Sequence, residues 1–324
     1  MRIGIIGAGN MATLHADAIV RSGRAQVAAV YAIDTQQVAT FASRYGARVA
    51  NDAREIFEDS AIGAVIIATP TPSHAEYLRL AHKAQKHVLC EKPVVRTRAE
   101  ADEIAALFTG YPCVAAAGHL VRFTPEYKYL RQVIREGKLG QVGTIRLTRA
   151  CGARKDPSDW HLDESASGGV ILDLMVHDLD LLTWVFGPIQ TIYVQRADHQ
   201  GDLCHDYALA IAKLSSGALA HLEASWAEPP GEFYYAYEVA GSLGILEFDS
   251  RKEPTLVCVS RTDKQRVGRT PEVCSPVDAQ LADFLDAIEK GQPPTVPLEV
   301  GLNAVRLALV ALESAQSNQP IVVG

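Results

Sequence analysis

Arg2-Ile3-Gly4-Ile5-Ile6-Gly7-Ala8-Gly9-Asn10-Met11-Ala12 is a short β-branched run that empties into a G-x-G-x-x-A turn, and Met11, Leu14, His15 and Ala18 then follow at helical spacing. In such a turn Gly7 allows the tight bend, Gly9 lets the backbone approach a pyrophosphate, and Ala12 is small enough for close helix-to-strand packing. The helix aims its first N–H groups and the positive end of its dipole at the phosphates. Strand, glycine turn and helix within a dozen residues therefore predict a bound dinucleotide, with Gly7, Gly9, Asn10 and Met11 at the contact.

Outward from this turn, strand-like runs at residues 3–6, 27–31, 64–68, 88–90 and 113–117 alternate with helical segments. That alternation is the pattern of an α/β doubly wound parallel sheet, the Rossmann arrangement. Val38, Phe41, Ala42 and Tyr45 mark one helix, closed by Gly46, and Thr97 with Glu100 forms a capping box that opens another. After Gly118 the pattern changes. A helix over residues 125–136 and a strand near 142–149 lead to a loop, then to a long helix over 169–186 stopped by Gly187-Pro188. Alternating runs at 207–214 and 218–226, and at 238–240 and 245–248, read as antiparallel hairpins. Two amphipathic helices follow, marked by Leu281, Phe284, Leu285 and Ile288 and then by Leu298, Leu302, Val305, Leu309 and Leu312. The chain is thus read as a nucleotide-binding domain, 1–118, and a C-terminal α+β domain with a large, mainly antiparallel sheet, 119–324.

Composition bounds the partners. The 324 residues carry 31 basic and 38 acidic side chains, a net charge of −7 that argues against a broad nucleic-acid face. No stretch reaches the ~18 continuous apolar residues of a membrane span. The six cysteines, Cys90, Cys113, Cys151, Cys204, Cys258 and Cys274, have no C-x-x-C pair and read as reduced thiols in a cytoplasmic protein.

Two further clusters carry chemistry. Cys90-Glu91-Lys92-Pro93 ends a strand, and ligands of open α/β sheets bind beyond the carboxyl ends of strands, which puts Lys92 beside the glycine turn. There an ammonium could polarise a hydroxyl or carbonyl; a plain surface lysine is the alternative. On the long helix Asp173, His177 and Asp180 share one stripe at i, i+4, i+7, with Val170, Leu174, Leu181 and Val185 opposite. A histidine between carboxylates suits acid/base work near neutral pH, whereas a solvated polar face or a histidine satisfied in the core is the structural alternative. No H-E-x-x-H or carboxylate triad accompanies it, so no metal is expected. Nucleotide preference should be decided after the second strand, where the sequence is Tyr31-Ala32-Ile33-Asp34. Asp34 comes late for a ribose-binding acid and could instead cap the next helix; no arginine follows directly, although Arg44 and Arg54 could reach. NAD is slightly favoured over NADP.

Taken in order, the G-x-G-x-x-A turn, Ala68-Thr69-Pro70 with His74, Glu91-Lys92-Pro93, Gly118-His119 with Arg122-Phe123, and Gly168-Gly169 with Asp173 and His177 resemble the Gfo/Idh/MocA family of NAD(P)-dependent oxidoreductases. The resemblance covers nearly the whole chain. It implies that Lys92 binds and polarises the reacting oxygen of a sugar, cyclitol or related polyol, that His177 is the acid/base, and that Asp173 holds a substrate hydroxyl or orients His177. It places Ala68, Thr69, Pro70, His74 and Glu91 along the cofactor, with Ala32 where family members often carry the ribose acid. His119, Arg122, Trp160 and His161 are candidates for the substrate side. It further implies a cis Lys92–Pro93 bond and a homodimer or homotetramer packed through the C-terminal sheet. A nucleotide-bound sensor without turnover, or a reductase of a non-sugar carbonyl or imine, is the alternative, and the presence of Lys92, Asp173 and His177 argues against the sensor.

Overall fold

The structure is a computed structural model that describes residues 1–152, 159–197, 206–261, 265–271 and 274–323. Lys155 to Ser158 of the loop before Trp160, and Cys204, lie outside the described residues. The chain divides into two compact units, Met1–Phe123 with Cys274–Val305, and Thr124–Val273 with Arg306–Gly324. A single division after Gly118 does not include the return of residues 274–305 to the first unit, because those helices pack on elements that precede them by more than 150 residues.

The first unit holds six parallel strands: β1 (Arg2–Ile6), β2 (Gln26–Tyr31), β3 (Arg48–Val49), β4 (Ala64–Ile67), β5 (His87–Glu91) and β6 (Ala115–Gly118). Their order, β3-β2-β1-β4-β5-β6, is that of a dinucleotide-binding sheet, with its switch point between β1 and β4. Ile3, Ile5, Ile6, Val65, Ile66 and Ile67 are fully buried, as strands covered on both faces must be. The helices are α1 (Asn10–Ser22), α2 (Thr35–Tyr45), α3 (Arg54–Glu58), α4 (His74–Lys83) and α5 (Arg98–Leu107). The Thr97–Glu100 capping box is formed, and Gly46 closes α2 in the left-handed conformation at φ +66°. The buried face of α1 differs from the sequence expectation. Ala12, His15, Ala16, Ala18 and Ile19 are buried while Leu14 is 45% exposed, so the expected stripe holds at His15 and Ala18 and fails at Leu14.

The second unit opens with α6 (Pro125–Arg135) and β7 (Val142–Gly152) and continues through α7 (Glu164–Ser167), a π turn at Ile171–Met175 and α8 (Val176–Phe186). Strands β8 (Ile189–Ala197), β9 (Tyr207–Leu214), β10 (Leu219–Glu228), β11 (Phe233–Gly241), β12 (Gly244–Asp249), β13 (Leu256–Ser260) and β14 (Arg266–Arg269) follow. Helices α9 (Pro276–Lys290) and α10 (Leu298–Ser317) and strand β15 (Ile321–Val322) complete the chain. Nine strands form one sheet, β14-β13-β12-β11-β7-β10-β9-β8-β15, in which β7 and β10 are the parallel pair and the other neighbours are antiparallel. Ile145, Leu147, Leu222, Ala224, Tyr237, Val239 and Leu246 are buried on its inner face. The opposite face runs through Tyr193, Ile211, His221, Arg146, Glu238, Glu247 and Val257, which the strand register lines up in one row. Ile211 and Leu219 on that face are half exposed. In the first unit α9 packs on α1, with Arg21 bonded to Asp278 and Arg24 to Asp286 and Glu289.

Candidate functional site

The glycine turn has the geometry its composition requires. Gly7 sits at φ +112°, and a Cβ there would lie 2.3 Å from the Ala68 carbonyl oxygen at the exit of β4. Above Gly9 a Cβ would meet nothing within 4 Å, so the backbone is open to an incoming group. No side-chain cap closes the N-terminus of α1, which leaves its first-turn N–H groups for an anion. This cradle fits the pyrophosphate of a dinucleotide. Gly7→Ala combines left-handed strain with a backbone clash, so a loss of at least about 2 kcal/mol in stability and of NADH binding is expected, read by thermal denaturation and by nucleotide fluorescence titration.

Beside the turn, a groove of about 330 Å³ is lined by Ala8, Thr13, Asp34, Gln36, Gln37, Thr40, Arg44 and Tyr45 among others. Asp34 is the N-cap of α2, accepting from the Gln36 and Gln37 amides at 2.9 Å each. Of the two roles open to it, capping is the one the structure shows. Arg44 is bonded to Asp17 at 2.9 Å, and Asp17 also accepts from Tyr45 Oη. Burial, and then that bond, push the Tyr45 hydroxyl up to about 12.

Beyond β4, Thr69 is half-buried and Pro70 exposed, while His74 is 1% exposed. The His74 ring bridges two turns, Nε2 lying 2.8 Å from the Thr69 carbonyl and Nδ1 2.8 Å from the Pro93 carbonyl. It therefore braces the loop after β4 against the turn that follows Lys92. Lys92 is half-buried and the Lys92–Pro93 peptide is cis. Glu91, 4% exposed, uses both oxygens within the protein: Oε1 lies 2.6 Å from His15 Nε2, and Oε2 accepts from the Lys92 amide at 3.3 Å. Gly118 makes room for it, since a Cβ there would lie 2.9 Å from Glu91 Oε2. His119 and Arg122 are buried, His119 completely, at and beside a 3-10 turn at Leu120–Phe123 that packs on α9.

Acid should loosen this unit. Burial lowers the pKa of His74 and His87 below the ordinary 6.5, and the His87 ring nitrogen Nδ1 accepts from the Val114 amide at 3.0 Å, which a proton there would break. Burial raises the Glu91 carboxyl, but the His15 bond and charge outweigh it and hold the group below 4.5. Each group binds fewer protons folded than unfolded. The histidine contributions are complete above pH 6.5 and fade below it, and that of Glu91 fades below about 4.5. The urea midpoint should therefore fall from pH 7 to pH 5 and further below 4.5; a midpoint that is flat or rises on acidification contradicts the assignment.

In the second unit the sequence run Gly168-Gly169 starts the helix that carries Asp173 and His177. Both glycines have positive φ, and a Cβ on Gly169 would lie 2.7 Å from Asp206 Oδ2. That carboxylate accepts from the Val170 amide at 2.8 Å and is held by Arg196, which also reaches Glu164. One turn on, the backbone widens into the π turn containing Asp173, which packs against β10. The stripe at Asp173, His177 and Asp180 is buried, so the solvated-face alternative does not apply. Asp173, His177, Asp178 and Asp180 are 5%, 8%, 1% and 2% exposed, because the segment lies between β10 and α6. Asp178 forms two bonds with Arg149 at 2.9 and 3.0 Å, and the guanidinium also donates to Tyr127 Oη. Burial disfavours the Arg149 charge, yet Asp178 and Tyr127 outweigh it and raise its pKa. Two arginine–carboxylate pairs, at Asp206 and Asp178, thus flank the residues of interest. Sequence reading passes over Asp206, Arg196 and Arg149, whose only early signal is a charge in or next to a strand-like run. Trp160 and His161 stand on a 3-10 turn, their rings tilted by 32° at 4.0 Å between centroids, with His161 Nδ1 2.5 Å from Asp159 Oδ1 and the ring edge-on to Trp226.

Residues 1–119 match the model of the Gfo/Idh/MocA oxidoreductase family, NAD-binding Rossmann fold, and residues 127–247 match that of the Gfo/Idh/MocA C-terminal domain. The chain belongs to the Gfo/Idh/MocA family. Among its relatives, myo-inositol 2-dehydrogenase of Thermotoga maritima is 27% identical over 99% of this chain and 98% of its own. The 1,5-anhydro-D-fructose reductase of Ensifer adhaerens is 25% identical over 98% and 97%. The same fold is seen in levoglucosan dehydrogenase in complex with NADH, at a TM-score of 0.90 and 22% identity over 100% of this chain and 99% of that one.

Proposed function

We propose that this Gfo/Idh/MocA oxidoreductase is a dehydrogenase of a sugar, cyclitol or related polyol. The observation that carries the reading is the burial of Asp173 on the widened turn and of His177 at the start of α8, in a segment held by Asp206–Arg196 and Asp178–Arg149. The names of the relatives, inositol and anhydro-sugar enzymes among them, support the substrate class. A nicotinamide nucleotide held at the Gly7–Gly9 turn would supply the hydride acceptor. His177 takes the hydroxyl proton as the C–H and O–H bonds give way to a carbonyl, and runs in reverse as the acid. Lys92 places positive charge where the alkoxide develops, and Asp173 holds a neighbouring hydroxyl or orients the His177 ring. A panel of polyols offered with NAD and with NADP, followed by nucleotide fluorescence, tests the reading; binding of neither nucleotide removes its basis.

NAD is favoured only slightly, since Ala32 offers no carboxylate to the ribose, Asp34 is engaged as a cap and Arg44 is engaged by Asp17. Ala32→Asp should therefore shift the NADH-to-NADPH affinity ratio toward NADH by about tenfold, the worth of one charged hydrogen bond, in fluorescence titrations. We also place the protein in the cytoplasm. For the oligomer, the outer face of the nine-stranded sheet, with Ile211 and Leu219 half exposed and Tyr193 paired beside Ile211, supports a dimer or tetramer of this chain through that face.

A further inference from the structure

The groove beside the glycine turn runs from Ala8 in the turn to Asp34 and Gln37 at the start of α2, with Arg44 further along that helix. Its end at Asp34 is the carboxyl end of β2, the side on which a dinucleotide carries its adenine ribose. There a 2′-phosphate, the one group that separates NADP from NAD, is met by a nearby arginine. Among the described residues that line the groove, Arg44 is the one cation. Its guanidinium is more than half exposed, stands 5.1 Å from the centre of the Tyr45 ring, and is bonded through Nη2 to both oxygens of Asp17, at 2.9 and 3.2 Å. Asp17 lies on α1 and also accepts from Tyr45 Oη at 2.8 Å. One carboxylate thus holds both the arginine and the tyrosine.

The start of α2 offers a phosphate no substitute. Its Gln36 and Gln37 amides are taken by the Asp34 carboxylate, which adds a second negative charge to the groove. Arg21, the next cation along α1, is bonded to Asp278. We propose that Asp17 sets the nucleotide preference: it ties Arg44 to α1 and cancels its charge, so that an incoming 2′-phosphate meets one arginine against two carboxylates. The 2′-hydroxyl of NAD carries no charge and is indifferent to this balance. An exposed arginine–carboxylate pair adds only about 0–1 kcal/mol to stability, so the pair can be removed with the fold intact. The inference rests on the reading of the protein as a nicotinamide-nucleotide enzyme and names the residue that decides between the two nucleotides.

The test reads binding, not turnover. NADH and NADPH are titrated by fluorescence against the full-length protein, and adenosine 2′,5′-bisphosphate is compared with AMP as a competitor of NADH, which isolates the adenosine end. Asp17→Asn keeps the shape and an acceptor for Tyr45 but removes the charge. It should tighten NADPH and the bisphosphate by about tenfold, the worth of one charged hydrogen bond, and leave NADH and AMP within about threefold. Adding Arg44→Gln to Asp17→Asn should abolish the gain, which a merely structural carboxylate would not predict. The gain should also shrink with added salt, as an ionic contact at an exposed site must. If Asp17→Asn does not fold, Asp17→Ser makes the same comparison. An unmoved or weakened NADPH affinity in Asp17→Asn, or an equal gain in the double variant, overturns the proposal while the functional reading stands. Failure of the natural protein to bind either nucleotide would instead remove that reading, and the inference with it.

Discussion

Lys92→Ala is expected to lower polyol turnover by about 10²–10³-fold, the range for removing one preorganised group that stabilises a developing oxyanion. The fold and NADH affinity should be preserved. The lysine follows the end of β5 and is only half-buried, so its loss leaves no large cavity. Lys92→Arg should not rescue, because a planar guanidinium places its charge over five donors in place of one compact ammonium. His177→Ala should cost about 10²–10⁴-fold for loss of the proton-transfer group. Steady-state rates, circular dichroism and NADH titration on the same preparations check both. Near-normal rates in the two variants would reject the assignment.

Arg149→Ala should be the most damaging change outside the reacting groups. It removes the cation from Asp178, which is 1% exposed, and a donor from Tyr127, so a charge is left buried without its partner. The expected loss is about 3–5 kcal/mol in unfolding free energy, measured by urea denaturation. Arg149→Met with Asp178→Leu should lose less than the single variant, because no unpaired charge remains. A double variant less stable than Arg149→Ala would show that the pair itself, and not the uncompensated carboxylate, carries the stability. Since α8 holds both Asp178 and His177, turnover should fall with Arg149→Ala even where the protein stays folded.

The parts of this protein that were legible in its sequence are those whose signals are local. The glycine turn, the Thr97–Glu100 box, the Gly46 stop and the two hairpins each announce themselves within a few residues, and so did the six-strand nucleotide sheet apart from the two-residue β3. What stayed hidden depends on distant partners. Glu91 and His15 are separated by 76 positions and Arg149 and Asp178 by 29, and no pattern within one element reports such pairing. The same cause turned an expected polar stripe into a buried one: i, i+4, i+7 spacing describes a face, but not whether a sheet and a second helix close over it. The π turn is equally silent, because widening a helix by one residue leaves its composition unchanged. Strands β8, β13, β14 and β15 lie at or next to the sheet edges, where pairing asks little of a side-chain pattern, and the sequence pattern does not mark them.

The central claim is that hydride passes from a polyol carbon to the nucleotide with Lys92 and His177 at the reacting oxygen. Its most direct test incubates the protein with NAD and myo-inositol deuterated at carbon, alongside other carbon-deuterated polyols, and weighs the recovered nucleotide by mass spectrometry. The account predicts NADH carrying one deuterium in the nicotinamide ring with at least one polyol, and little or none with Lys92→Ala or His177→Ala. A protein that binds NADH but yields no deuterated nucleotide from any polyol, or that yields it equally in both variants, would contradict it.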